Sequence, residues 1–200
     1  LSDKITRVII GEGVTKVGSN AFQGYYQSGV SAQMTAVEIG AGVNIESIES
    51  RAFYNQSKMR SFNIDPTARI GQIKDYAFEK CTQLTAFTVP GTVKSIAKYA
   101  FSGCTNLSEV NFSAEGATTL EIAEYAFNGC TNLGGVDLGN VYTIGEYAFQ
   151  NCDSLTEVVL PNGVTFIGVY AYENCGNLET VYLPDSVRKS VQGSPDFRVI

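Results

Sequence analysis

The chain has 200 residues, 44% of them apolar and 17% charged, with a formal charge of −6. That balance supports a packed core and excludes extended disorder. Its 14 Lys and Arg are scattered, which argues against a phosphate-binding basic surface for nucleic acid, and no run of about 18 apolar residues is present to enter a membrane as a spanning helix.

There is no histidine. This removes Ser-His-Asp and Cys-His nucleophile pairs and every histidine-containing zinc site. No signal peptide is recognisable. The chain opens on Leu1, as a trimmed or mature fragment would.

Taken in chain order, one unit recurs. Its anchor is Ala-Phe, at Ala21-Phe22, Ala52-Phe53, Ala77-Phe78, Ala100-Phe101, Ala126-Phe127 and Ala148-Phe149, with Ala171-Tyr172 as the last copy. Successive anchors lie 31, 25, 23, 26, 22 and 23 residues apart, which is the spacing of a solenoid repeat. Four residues before each alanine stands an aliphatic: Val17, Ile48, Ile73, Ile96, Ile122, Ile144 and Ile167. Three residues earlier comes a second apolar column, Val14, Ile45, Ile70, Val93, Val141 and Val164, broken in the fifth copy by Thr119 beside Leu120. Leu84, Leu107, Leu133, Leu155 and Leu178 follow each phenylalanine or tyrosine by six positions in the later copies.

A short alternation comes next, as in Val110-x-Phe112, Val136-x-Leu138, Val158-x-Leu160 and Val181-x-Leu183. Period two marks a short strand with one face inward. Pro90, Pro161 and Pro184 close three of these strands by removing a ladder donor. The segment up to Ala-Phe reads as a tight turn or brief second strand, followed by a single helical or 3₁₀ turn carrying Ala-Phe. No unit buries its apolar edge alone, so the coils must stack.

The pattern L-x-x-V-x-L-P-x-x-V-x-x-I-x-x-Y-A-F-x-x-C-x-x-L, carried over roughly residues 5–187, resembles the bacterial BspA-like leucine-rich repeat family, the treponemal class. The resemblance implies a leucine-rich repeat solenoid: a right-handed curved stack of about seven to eight coils with a parallel β-sheet on the concave side. Right-handed crossovers are also the general rule for parallel strands. The expected organisation is a single domain over 1–200, with repeats near 5–34, 35–59, 60–84, 85–107, 108–133, 134–155 and 156–178 and a partial one at 179–200. Copies one and two lack the cysteine and have Asn20 and Arg51 in place of the tyrosine. After Val187 the register dissolves, which fits a cap or a cut end.

Three columns look chemical. Cys81, Cys104, Cys130, Cys152 and Cys175 each stand three residues after the anchor ring. Their odd number, the lack of a C-x₂-C pair and the parallel aim of translational copies favour free buried thiols over a disulfide ladder or a metal site. Tyr76, Tyr99, Tyr125, Tyr147 and Tyr170 form a second column. It reads as coil-on-coil stacking with hydroxyls reaching water, against the alternative of an aromatic sugar platform.

The third is the outward face of the strands: Arg7, Glu38, Asn63, Thr88, Glu109, Asn111, Asp137, Glu157, Val159 and Tyr182. Eight strands about 4.8 Å apart give a strip of roughly 35 Å, the kind of surface solenoids use for binding. Plain solvated drift is the competing reading, because no aromatic-and-arginine cluster is present. Glu109, Asp137 and Glu157 are on consecutive strands, but a smooth sheet lacks the pocket that carboxylate acid-base catalysis needs. Neither an enzyme nor a cofactor or metal is expected.

Insertions are the remaining candidates. Tyr25 and Tyr26 in GYYQSGVSAQM form either a contact loop or a cap over the first coil, and SAEGATT from Ser113 reads as a tolerated bulge. Sequons at Asn55 and Asn111 matter only in a eukaryotic secretory host. The family resemblance implies a non-catalytic, adhesin-like module of a bacterial cell-surface or secreted protein, with a host or bacterial surface protein or glycan as partner. The alternative is a spacer that binds nothing.

Overall fold

The computed structural model describes residues 4–24, 33–113 and 119–184. Its elements are parallel strands and turns arranged as a β-solenoid of about seven turns. The alternating segments form the longer strands. Arg7–Ile10, Ala36–Ile39 and Ser61–Ile64 make one ladder; Ala86–Val89, Glu109–Phe112, Gly135–Asp137, Glu157–Val159 and Thr180–Tyr182 make a second. The apolar pair ahead of each Ala-Phe forms a sheet of two- to four-residue strands: Lys16–Val17, Ser47–Ile48, Gln72–Ile73, Ser95–Ile96, Leu120–Ile122, Val141–Ile144 and Phe166–Ile167. Asn44–Ile45 pairs with Arg69–Ile70 in a further small sheet.

All pairings are parallel, and side chains of one column meet the same column one coil away. Val110 pairs with Phe87 and Val136, and Ile96 with Ile73 and Ile122. The inward positions are sealed: Ile45, Ile48, Ile70, Ile73, Ile96, Leu84, Leu107, Leu133 and Leu155 are all at 0% exposure. Leu120 is buried and fills the gap Thr119 leaves in its column. Val14, expected inward, is instead 37% exposed. It lies on the first coil, at the end of the stack.

The long-strand sheet is interrupted between Ser61–Ile64 and Ala86–Val89, where Thr85 donates to the Arg60 carbonyl from both its amide and its hydroxyl. These two strands carry Phe62 and Phe87 where neighbouring strands have Val37 and Val110. The two rings lie 5.4 Å apart, wider than the roughly 4.8 Å spacing of laddered strands.

The Ala-Phe wall has no helix among the described residues, which corrects the expected helical or 3₁₀ turn. Its amides alternate in direction. Those of Ala126, Asn128 and Cys130 bond three residues back within their own coil, while those of Tyr125, Phe127 and Gly129 bond Glu146, Ala148 and Gln150 of the next coil. Consecutive i→i−3 bonds never accumulate, and the wall is tied across coils as a sheet is. The alternation requires left-handed residues. Asn20, Arg51, Tyr76, Tyr99, Tyr125, Tyr147 and Tyr170 all have φ between 56° and 61°. A second left-handed column comprises Asn55, Lys80, Gly103, Gly129, Asn151 and Asn174; glycine and asparagine are the residues that tolerate this conformation.

Phenylalanines stack along the wall's interior. Phe22, Phe53, Phe78, Phe101, Phe127, Phe149 and Tyr172 follow one another at 4.9–5.3 Å, with planes within 10°. Phe62 and Phe87 meet this column edge-on, a favourable arrangement of ring quadrupoles. Tyr172 completes the stack, but its buried hydroxyl has no partner.

Candidate functional site

Strand alternation and register set the candidate surface. Residues not needed inside point out, and parallel pairing lines them up in two rows. One row brings Ala86, Glu109 and Gly135 side by side, with Glu157 beside Thr180 further along. The other runs Thr88, Asn111, Asp137, Val159, Tyr182. Thr88, Glu109, Asn111, Asp137 and Glu157 are exposed, and Val159 and Tyr182 are each 52% exposed.

Gly135 falls on the outward face with Asp137, as the strand alternation predicts, but is not among the candidate site residues. A Cβ there would meet nothing within 4 Å, and a shallow notch lies over the glycine between the strands bearing Glu109 and Glu157, with Asp137 beside it on the same strand. Asn111 donates to Glu109 at 2.8 Å, and Val159 and Tyr182 form an apolar shoulder on the C-terminal side. A glycine inside a strand pattern was the available signal.

Arg7, Glu38 and Asn63 do not join this cluster. Arg7 makes a two-pronged bond to Glu38 at 2.6 and 2.7 Å, and the same carboxylate raises the Arg7 pKa. Both are occupied with each other at the far end of the sheet. Asn63 is exposed across the interruption from the cluster, while Thr88 is exposed beside Asn111 at the cluster's edge. Tyr25, Tyr26, most of the SAEGATT insertion and the tail beyond 184 lie outside the described residues.

A groove follows the carboxyl ends of two strands, lined by Ile64, Asp65, Pro66, Arg69, Pro90 and Thr92. Asp65 accepts from the Thr67 amide at 2.9 Å and hydroxyl at 2.6 Å, and these bonds hold its pKa below the usual carboxylate value.

The cysteines are free and buried. Each thiol also donates to the carbonyl of the Phe one coil earlier: Cys81 to Phe53, Cys104 to Phe78, Cys130 to Phe101, Cys152 to Phe127 and Cys175 to Phe149, at 3.1–3.3 Å. Gln56, in the same column, reaches the Phe22 carbonyl with its amide. Burial pushes the thiol pKa values of Cys81, Cys130 and Cys152 well up, and that of Cys175 up to about 11. Among the described residues no cluster of three or more metal-ligating side chains occurs, and no helix is long and apolar enough to cross a membrane.

The tyrosine column stacks at 4.8–5.3 Å, and Arg51 lies over the Tyr76 ring at 4.6 Å. Ring faces are therefore used within the column, which leaves edges rather than faces for any sugar. Of the two sequons, Asn55 is buried and donates to the Gly24 carbonyl, while Asn111 is exposed.

Parallel coils of about 23 residues, each with one long strand and an inward leucine column, define a leucine-rich repeat solenoid. The chain belongs to the BspA type leucine rich repeat family, whose pattern matches residues 2–120 and 71–193 in six copies. No curated protein sequence matches it. Among solved structures it is similar to the T. pallidum leucine rich repeat protein TpLRR, with 27% identity and a TM-score of 0.52 over 75% of this chain and 59% of that one. It shares its fold with a leucine rich cell surface protein of Faecalibacterium prausnitzii (22% identity, TM-score 0.51, 90% of this chain, 61% of that one). It also shares it with the pneumococcal vaccine antigen PcpA (18% identity, TM-score 0.54, 90% and 61%). The chain thus spans about three-fifths of each of these structures.

Proposed function

We propose that this chain is a non-catalytic binding module of a bacterial surface or secreted protein, and that it holds a protein or glycan partner on the outward face of its long-strand sheet. The observation that carries this reading is the division of labour along each strand. Inward residues such as Val110 and Val158 are 1% exposed, while their neighbours Glu109, Asn111, Glu157 and Val159 are exposed and packed against nothing in the core. A parallel sheet ordinarily has both faces covered; here one is open along eight strands. The Gly135 notch gives that face relief, Tyr182 gives it a residue type favoured at interface centres, and the carboxylates give it polarity. Similarity in fold to a cell-surface protein and a vaccine antigen supports the setting.

The test is binding of the chain to a panel of immobilised host matrix proteins and a glycan array, beside a variant with Asn111→Lys, Asp137→Lys and Glu157→Lys. Binding that the variant loses while its unfolding temperature stays close to the parent's supports the reading. Binding that survives all three substitutions removes this face, and a chain that binds no probe favours a spacer.

A further inference from the structure

Every readily oxidised side chain of this protein except tyrosine is out of reach. The sequence has no tryptophan and no histidine. Its two methionines, Met34 and Met59, are 3% and 0% exposed, and its five cysteines are 0–7% exposed. Burial also raises the thiol pKa values of Cys81, Cys130, Cys152 and Cys175, whereas the thiolate is the reactive form. The tyrosine column is the opposite case. Tyr76, Tyr99, Tyr125, Tyr147 and Tyr170 are half-buried, so their edges meet solvent. Tyr99, Tyr125 and Tyr147 succeed one another at 4.8 Å with planes 4–5° apart.

We propose that this column is a site of oxidative cross-linking, in which a peroxidase-type one-electron oxidant joins tyrosines of successive coils as dityrosine and so staples the solenoid covalently. Each phenol gives up one hydrogen atom, an electron with its proton. The two phenoxyl radicals form one carbon–carbon bond between ring positions ortho to the oxygens. The two hydrogens displaced at those carbons return to the oxygens and restore both phenols. Hydrogen peroxide, acting through the peroxidase, accepts the two electrons and two protons and leaves as two waters. The left-handed backbone of the column fixes each ring over the next, so coupling is between neighbours held together rather than between molecules that must meet. At micromolar protein, that favours intramolecular over intermolecular bonds by about 100-fold.

The experiment treats the chain with horseradish peroxidase and hydrogen peroxide, follows dityrosine fluorescence, and maps cross-linked peptides by mass spectrometry. The expected result is monomeric product carrying Tyr99–Tyr125 and Tyr125–Tyr147 links, with free thiols still at five after unfolding and a raised unfolding temperature. A Tyr99→Phe, Tyr147→Phe variant keeps the stacked rings but leaves no two adjacent tyrosines in the column, and its mapped column links fall by about 10-fold or more. Replacing Tyr54, Tyr142 and Tyr182, which stack on no ring among the described residues, by Phe leaves the column links unchanged. Links that map chiefly outside the column, products that are chiefly intermolecular, or cysteines oxidised ahead of tyrosine would each overturn the proposal.

Discussion

The Cys130 thiol donates to the carbonyl of Phe101, one coil earlier, at 3.3 Å. The same bond recurs at four other cysteines and is made by an amide at Gln56. The column is therefore a row of small donors, and cysteine suits it because it is also compact and apolar. Cys130→Ala should cost about 1–2 kcal/mol, the sum of a lost bond and a small void. Cys130→Ser, which keeps a donor, should respond with a shift in urea midpoint that differs from alanine's. Identical midpoints would show that the hydrogen bond contributes nothing.

Tyr125 has φ of 58°, a region costly to side chains that cannot bend back on their own backbone. Tyr125→Val and Tyr125→Asn both remove a ring from the stack, but asparagine tolerates the left-handed conformation and valine does not. The valine variant should be the less stable by about 1 kcal/mol or more in equilibrium unfolding. Equal stabilities would mean the backbone relaxes there.

Two glycines should behave oppositely. A Cβ at Gly145 would sit 2.6 Å from both the Ala123 carbonyl carbon and the Glu124 nitrogen, where two coils approach, while one at Gly135 meets nothing. Gly145→Ala should therefore destabilise by about 1–3 kcal/mol. Gly135→Ala should be neutral or slightly stabilising, since glycine weakens a strand. Thermal scans of the two variants check this, and loss at Gly135 would speak against an open notch.

Alkaline pH should loosen the stack. An unfolded thiol titrates near pH 8.5, and burial raises Cys175 to about 11 and Cys81, Cys130 and Cys152 well up. The folded state holds these protons more tightly, so their contribution is complete below about pH 8.5 and erodes as pH rises above it, for Cys175 up to about 11. Urea midpoints measured from pH 7 to 11 should be level at first and then fall, and Cys175→Ser should make that fall less steep by one thiol's share. A level profile throughout would contradict the burial of these thiols.

Much of the fold was legible because solenoid packing is periodic. The Phe127, Ile122 and Leu133 columns announce themselves by spacing, and alternation marks Val110 and Phe112 as inward. Other features need the third dimension. Arg7 and Glu38 are 31 residues apart, and only strand register reveals that they pair. The thiol bonds depend on which carbonyl the preceding coil presents. The left-handed wall was half-visible: Gly103, Gly129, Asn151 and Asn174 carry the usual chemistry of that conformation, but five tyrosines in the companion column do not. On the sheet face, the cluster around Gly135 turned on a side chain that is missing.

The most direct test compares urea unfolding of Phe127→Ala with that of the Asn111→Lys, Asp137→Lys, Glu157→Lys variant. Phe127 is fully buried between Phe101 and Phe149, so its loss should cost about 3–5 kcal/mol through the cavity it leaves. The three outward substitutions together should cost no more than about 1–1.5 kcal/mol. A triple variant as destabilised as Phe127→Ala would contradict the separation of a structural interior from a free outer face.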